Sequence, residues 1–115
     1  MTQALTSEFY KNILNRINSN IYITDIDTDK IVYMNDYMKH TFHLQHPEGE
    51  TCWKILQCDM TGRCPFCKIE QLKSTQRNSA CVWKEKNTIT GRIYMNCDSL
   101  IDWDGKQYHI QNSID

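Results

Sequence analysis

The sequence is poor in the residues that interrupt regular secondary structure, with four glycines and two prolines in 115 residues. It also lacks an internal repeat, a linker and the polar composition that is typical of disordered chains. Hydrophobic residues make up 40% of the composition, which is enough to build the core of a single folded domain.

An excess of positive charge is missing as well. The formal net charge is −1, and lysine and arginine form no stripe along the chain. Domains that bind duplex nucleic acid usually carry a basic excess or a basic stripe, because they neutralise phosphates. We therefore expect no nucleic-acid partner.

Long apolar runs are absent from the sequence. No stretch approaches the roughly 18 apolar residues that a membrane span needs. The first residues, "MTQALTSEFYKNILNRINSN", contain no basic segment followed by an apolar run, so they do not resemble a signal peptide. We expect a cytoplasmic protein whose segment does not contact the membrane and in which stable disulfides do not form.

The pattern at the N-terminus predicts an amphipathic helix over residues 4–17, because large apolar residues recur at every fourth position. These residues are Leu5, Phe9, Ile13 and Ile17. A stripe of this kind has to pack on something, either on its own domain or on the same helix of a second chain, and both partners remain open.

The segment "NIYITDIDTDKIVYMN" predicts a β-hairpin. Two β-branched and aromatic runs, Ile21–Ile26 and Lys30–Met34, flank an Asp27–Asp29 turn in which side chains can cap the backbone. Asn35 follows and is expected to be the N-cap of a short helix, since its side-chain oxygen can accept an otherwise unpaired backbone N–H.

Residues 35–75 show no strand alternation and are predicted to form several short helices, one of them at "CPFCKIEQLKST" with Pro65 in its first turn. From residue 79 the period changes to two. The segments "SACVWKEKNT", "GRIYMNCDSLIDW" and "GKQYHIQNSI" predict consecutive antiparallel strands, with turns at 87–91 and 104–105.

This order of elements, and the residues within it, resembles the PAS domain. The first PAS hairpin, with the Asn that follows it, is resembled by "IYITDIDTDKIVYMNDYM". The last two PAS strands, and the segment by which the chain leaves the domain, are resembled by "GRIYMNCDSLIDWDGKQYHIQNSID". Four shorter motifs are similar to those of a PAS subgroup found in signalling proteins of clostridia-like bacteria: "HPEGETCWKIL", "CPFC", "NTITGR" and "DSLIDWDGK". The resemblance implies an α+β fold with a five-stranded antiparallel sheet, short helices on one face and an N-terminal amphipathic helix. It divides the chain into a helix at 1–19, available for dimerisation, and a PAS domain at 20–115.

The resemblance implies a sensory input domain without catalysis of its own. Such domains form homodimers and relay the binding of a small ligand or partner through their terminal helices. The effector, a histidine kinase or a diguanylate cyclase, is expected to lie outside this sequence, because no nucleotide-binding glycine loop, Gly-Gly-Asp-Glu-Phe segment or phosphoacceptor histidine motif is present. By family position we expect the ligand pocket to involve Ile23, Met34, Met38, Ile55, Leu72, Trp83, Tyr94 and Asn96.

Four cysteines within sixteen residues offer a metal or redox site: Cys52, Cys58, Cys64 and Cys67. Cys-x-x-Cys turns present two thiolates to one zinc ion or iron–sulfur cluster, and the two further cysteines could complete a tetrahedral set. The same turn at a helix start would favour a thiolate on Cys64 that Cys67 could resolve as a disulfide. The third interpretation is that buried cysteines only fill the core.

A flavin is the cofactor that the sequence disfavours. "GETCWKILQ" resembles the flavin-adduct segment of light-sensing LOV domains, and Asn96 and Gln111 suit the positions that contact the flavin ring. However, Thr51 stands where those domains have Asn, and Trp53 where they have Arg. We expect no cofactor, with zinc or an iron–sulfur cluster as the alternative. A ligand-free dimerisation module is the remaining hypothesis for function.

Overall fold

The structure is a computed structural model that describes residues 6–58, 60–62, 67–73 and 80–115. The elements in chain order are α1 (Ser7–Arg16), β1 (Asn20–Asp25), β2 (Ile31–Met34), α2 (Asp36–Phe42), α3 (Cys52–Ile55), α4 (Ile69–Lys73), β3 (Ala80–Lys86), β4 (Ile93–Trp103) and β5 (Lys106–Ile114). The strands form one antiparallel sheet in the order β2-β1-β5-β4-β3. The predicted α+β class and five-stranded antiparallel sheet are confirmed.

The three predicted hairpins form, and the turns of two of them show why. In the β1–β2 turn, the backbone N–H of Asp27 donates to Asp25 Oδ1 at 2.8 Å, and Asp29 has a φ of 60°. In the β4–β5 turn, Asp104 and Gly105 both have positive φ, 52° and 74°. Two positive φ values in a two-residue loop match the right-handed twist of the flanking strands, which explains the Asp-Gly pair there.

Asn35 is fully buried and joins three elements. Its Oδ1 caps α2 by accepting the N–H of Met38 at 3.1 Å, and it also accepts the N–H of Ile21 at 3.1 Å. Its Nδ2 donates to the carbonyls of Leu14 and Ser19, both at 3.0 Å. The predicted N-cap therefore also fastens the end of α1 to the start of β1.

Helix α1 leaves its apolar stripe largely uncovered. Phe9, Ile13 and Ile17 are 47%, 45% and 39% exposed, and none of the residues of α1 is buried. Leu5, the first residue of the predicted stripe, lies outside the described residues. Of the two packing partners that the sequence left open, the rest of the described domain covers the stripe only in part.

The core lies between the sheet and helices α2 and α3. It is a cluster of large apolar side chains that pack together and that come from both layers: Tyr22, Ile31, Met34, Met38, Phe42 and Leu56. The helix predicted at "CPFCKIEQLKST" is shorter than expected, because α4 begins only at Ile69 and Cys67 precedes it. Residues 63–66 and 74–79 of this region lie outside the described residues. Within the described part of the chain, no helix is long and apolar enough to cross a membrane.

Candidate functional site

A cavity of about 60 Å³ lies between the helices and the inner face of the sheet. We define the inner face as the side of the sheet that carries Tyr22, Gln111 and Asp98, which stand side by side on β1, β5 and β4. Met38 and Phe42 of α2 and the segment around α3 close the cavity from the other side. A buried water needs about 10–15 Å³ of such space, so the cavity has room for several water-sized groups.

On β4 the inner face buries polar side chains and the outer face exposes apolar ones, which reverses the usual arrangement of a half-buried strand. On β4, Asn96 and Asp98 are each 1% exposed, whereas Ile93 and Met95 on the opposite face are 63% and 40% exposed. Side chains alternate between faces along a strand, so this strand buries its polar set and exposes its apolar set. The polar set therefore needs internal hydrogen-bond partners.

Asp98 is the centre of the first polar cluster. Its Oδ1 lies 2.5 Å from His109 Nε2 and accepts the Gln111 side-chain amide at 2.9 Å. Its Oδ2 accepts the indole N–H of Trp83. Three donors from two neighbouring strands thus converge on one fully buried carboxylate, which fixes the side chains of Trp83, His109 and Gln111 around the cavity.

Glu85 is the centre of a second polar cluster, on β3. Its Oε1 accepts the side-chain amide of Asn96 at 2.7 Å, and its Oε2 accepts the amide of Gln57 at 2.6 Å. The Oε1 of Gln57 in turn accepts the Thr88 hydroxyl at 2.7 Å. The segment after α3 is thereby attached to the β3–β4 edge of the sheet by side chains at the cavity.

Aromatic rings form much of the remaining wall, from Tyr22, Phe42, Trp53, Trp83 and Tyr94. Burial raises the pKa of Tyr22 well above the ordinary value of 10.0, and the neighbouring Cys52 and Asp98 raise it further. Tyr22 is therefore a neutral phenol at physiological pH. The ammonium group of Lys68, which also lines the cavity, lies 5.0 Å from the centre of the Trp83 ring.

Two buried polar atoms on β4 have no hydrogen-bond partner in the described structure: the hydroxyl of Tyr94 and the Oδ1 of Asn96. Tyr94 lines the cavity. Asn96 stands between Trp83 and Ser113, which also line it, although Asn96 itself does not. Buried polar groups in native proteins are nearly always paired, so these two atoms mark a place where a hydrogen-bonding ligand or water fits.

Only some of the residues that we expected in the ligand pocket line the cavity. Met38, Trp83 and Tyr94 line the cavity. Met34, Leu72 and Asn96 are buried but do not line it, and Ile55 packs at the margin of the core cluster. Ile23 is a correction: Tyr22 faces the cavity, so Ile23, the next residue on the strand, lies on the outer face.

The cysteines occupy different places. Cys52 and Cys67 both line the cavity, whereas Cys58 is exposed and bonds through its backbone N–H to Thr88 Oγ1 at 2.8 Å. Cys64 lies outside the described residues. Among the residues that the structure does describe, no three His, Cys, Asp or Glu side chains come together as a metal-binding group.

Reasoning from the sequence missed most of the polar lining: Gln57, Glu85, Asp98, His109 and Ser113. His109 is buried against Asp98. The sequence alone indicates only that His109 and Gln111, two residues apart on one strand, share a face. The register of β4 and β5 adds Asp98 to that face, opposite Gln111.

Comparisons with known proteins identify solved structures that share this fold. No protein-family model matches the sequence, and no curated protein matches it. The structure is similar to the PAS domain of nitrogen regulation protein NR(II) from Vibrio parahaemolyticus, at 17% identity and a TM-score of 0.69, covering 95% of this chain and 98% of that one. It is similar to a PAS domain from a two-component sensor histidine kinase, at 11% identity and a TM-score of 0.70, covering 93% of both chains. The PAS domain of an HTR-like protein from Haloarcula marismortui also has a TM-score of 0.70, at 11% identity, with 95% of this chain and 90% of that chain covered. The chain therefore has the PAS fold.

Proposed function

We propose that this chain is the sensory input domain of a larger bacterial signal-transduction protein. It binds a small ligand and has no catalysis of its own. The observation that carries the proposal is the cavity between the inner face and the helices, whose wall contains buried polar groups and an unpartnered Tyr94 hydroxyl. A fold shared with a PAS domain from a two-component sensor histidine kinase supports the same function.

The finer assignment follows from the sequence resemblance. The domain belongs to the Cys-Pro-Phe-Cys subgroup of clostridia-like bacteria, acts in the cytoplasm and controls a histidine kinase or a diguanylate cyclase. The motifs that support the subgroup are "HPEGETCWKIL", "NTITGR" and "DSLIDWDGK".

A connection between the cavity and α1 would carry the signal. Met38 lines the cavity, and its backbone N–H donates to Asn35 Oδ1. The Nδ2 of Asn35 donates to the carbonyl of Leu14 near the end of α1. A ligand that displaces the Met38 turn would disturb this bond, and a ligand shifts an equilibrium by as much as it prefers one of the two states.

The domain acts as a homodimer through α1 in this proposal. The exposed side chains of Phe9, Ile13 and Ile17 support it, because fully burying one side chain of this kind is worth roughly 1.5–3 kcal/mol. Isologous pairing of two such helices is also the commonest way to close an assembly.

The test is a thermal-shift screen of small polar compounds against the domain and two serine variants. Ser113→Leu adds volume to the cavity wall on β5, whereas Ser99→Leu makes the same change on the outer face of β4. Compounds that stabilise the wild type should stabilise Ser99→Leu equally and Ser113→Leu much less. Hydrogen exchange should then show that the same compounds change the protection of amides at the end of α1.

Two results would contradict the proposal. Compounds that stabilise Ser113→Leu as well as the wild type bind outside the cavity. If no compound binds and the chain still dimerises, the ligand-free dimerisation module replaces the sensor.

A thiol or metal sensor is the second candidate, because Cys52 and Cys67 line the same cavity. The absorption spectrum and metal content of protein purified without chelator test it. Zinc or iron held in stoichiometric amount, and lost on replacing Cys67 by Ser, would favour this candidate over the small-molecule sensor.

A further inference from the structure

Glu85 is a half-buried carboxylate at the cavity wall whose partners are neutral. Both of its oxygens accept side-chain amides, from Asn96 at 2.7 Å and Gln57 at 2.6 Å, and it forms no ion pair within the described residues. A carboxylate offers about four lone-pair positions, so about two positions remain available. A charge that is partly removed from water without a cation is costly, which favours a positively charged partner beside Glu85.

Polar atoms without a partner near Glu85 also favour a ligand that donates hydrogen bonds. The Nδ2 of Asn96 donates to Glu85, and this bond orients the amide so that Oδ1 is the atom left without a partner. The unpartnered hydroxyl of Tyr94 belongs to the residue that stands directly opposite Glu85 in the β3–β4 pair. Carboxylate and amide oxygens only accept hydrogen bonds, and a phenol can accept one, so N–H groups suit all three atoms, of which those of Glu85 and Tyr94 belong to residues that line the cavity.

The aromatic wall suits a cation as well. The Trp83 ring lies beside Asn96 in the register, and the ammonium group of Lys68 already lies 5.0 Å from its centre. A cation within about 6 Å of an indole face is attracted by the negative face of the ring. Lys68 and Trp83 both line the cavity, so the contact between them shows that this ring already has an ammonium group as a neighbour.

The charges of the residues that line the cavity also favour a cationic ligand. Glu85 and Asp98 are acidic, and both oxygens of Asp98 are already taken by Trp83, His109 and Gln111. Among the described residues that line the cavity, Lys68 is the only lysine or arginine. The imidazole of His109 also lines the cavity and is bonded to Asp98, which leaves the carboxylate of Glu85 and the ammonium group of Lys68 as the side-chain groups that a charged ligand would meet.

We propose that the cavity recognises a small organic ammonium ion, with its N–H groups on Glu85 and Tyr94 and its charge against Trp83, and that Lys68 competes for the same ring. The inference rests on the proposed ligand-binding function and names the class of ligand. The cavity of about 60 Å³, at about 10–15 Å³ for each water-sized group, suits a ligand of roughly four to six non-hydrogen atoms.

The test follows the indole N–H signals of the ¹⁵N-labelled domain during titration with n-propylammonium chloride. Trp83 should shift saturably, because its N–H and its ring both lie at the site, and the exposed Trp103 should stay unchanged. The neutral probe 1-propanol and the anionic probe propionate are close in size and differ in charge. Both should bind at least tenfold more weakly than n-propylammonium.

Three variants separate the parts of the site. Glu85→Gln keeps the shape and removes the charge, and it should weaken n-propylammonium binding at least tenfold. Lys68→Gln removes the competing ammonium group and should tighten binding several-fold. Glu50→Gln removes a charge from an exposed acid and should leave binding unchanged. The Lys68 variant keeps the test valid if the Glu85 variant proves unstable, because the ammonium group of Lys68 donates no hydrogen bond to a buried group of the described structure, so its removal leaves none unpaired.

The outcomes distinguish this inference from the function on which it rests. If 1-propanol or propionate shifts Trp83 as strongly as n-propylammonium, the cation preference is wrong and the domain remains a small-molecule sensor. Equal binding by wild type and Glu85→Gln, or weaker binding by Lys68→Gln, also overturns the inference. If no probe shifts Trp83, the ammonium class is rejected, and the compound screen alone then decides whether the cavity binds anything.

Discussion

Replacing Asp98 by Ala should remove a large part of the stability of the domain. The substitution leaves the donors of Trp83, His109 and Gln111 without their shared acceptor in the interior of the sheet. Leaving a buried hydrogen-bond donor without its acceptor costs about 1–3 kcal/mol, so three unpaired donors cost about 3 kcal/mol or more. Water entering the adjoining cavity of about 60 Å³ can satisfy some of these donors, so the lower end, about 3 kcal/mol, is the better expectation.

The measurement is urea unfolding at neutral pH followed by far-UV circular dichroism, because the fluorescence of Trp83 would itself respond to the mutation. Small domains lose about 1–3 kcal/mol of unfolding free energy per molar urea, so the midpoint should fall by roughly 1–3 M. Glu50→Ala, at an exposed acid, is the control and should stay within about 0.5 kcal/mol of the wild type. If Asp98→Ala shifts the midpoint no more than Glu50→Ala does, the three hydrogen bonds do not hold the inner face together and the reasoning is refuted.

Three further predictions concern other parts of the chain. Replacing both Phe9 and Ile13 by Glu should leave the circular dichroism spectrum intact and give a monomer by sedimentation velocity, whereas a wild type that is already monomeric at high concentration contradicts the dimer. The hydrogen bond from Lys106 lowers the pKa of Asp25 below its ordinary 3.8, so the contribution of this carboxylate is present above that pH and is lost as the pH falls through the lowered value. The difference in melting temperature between wild type and Asp25→Asn should therefore shrink in strong acid, and a difference that stays constant would count against the ion pair. Burial raises the pKa of Tyr22 well above 10.0, so in an absorbance titration with base its phenol should ionise after the other tyrosines. Tyr22→Phe should therefore abolish the absorbance change at the highest pH, and a variant whose titration curve matches the wild type there would show that Tyr22 is accessible.

Local chemistry made much of the fold predictable. The Asp-Gly pair at 104–105 and the capping groups of the β1–β2 turn act within a few residues, so the sequence around them determines both hairpins. Asn35 was predictable as an N-cap for the same reason. Its bonds to Leu14 and Ser19 were not, because they depend on where the end of α1 lies relative to the sheet.

The length of α4 and the place of the cysteines were less predictable. The pattern of Ile69 and Leu72 fits a helix, and both are buried, but periodicity does not fix where a helix begins. The short spacing of Cys58 and Cys67 suggested one shared site. In the structure Cys58 bonds to Thr88 and Cys67 lines the cavity, since a few residues of loop are enough to separate two side chains.

The polarity of the sheet was hidden because strand alternation gives two faces without saying which one is buried. On β4 the apolar residues Ile93 and Met95 would be assigned to the core by hydrophobicity alone, yet they are exposed and Asn96 and Asp98 are buried. Only the register, which places Asp98 opposite Gln111, reveals that the polar residues satisfy one another.

A buried polar face of this kind is a poor way to gain stability. An apolar inner face of the same shape would avoid the cost of desolvating Asp98 and Glu85, because burying a polar or charged group is costly even where hydrogen bonds repay part of it. Sequences tend to break such rules at sites whose chemistry is needed for something else. The unpartnered Tyr94 hydroxyl extends the argument, because a network built for stability alone has no reason to leave a donor unused beside a cavity. This cost supports the binding surface that we propose for the polar residues of the inner face.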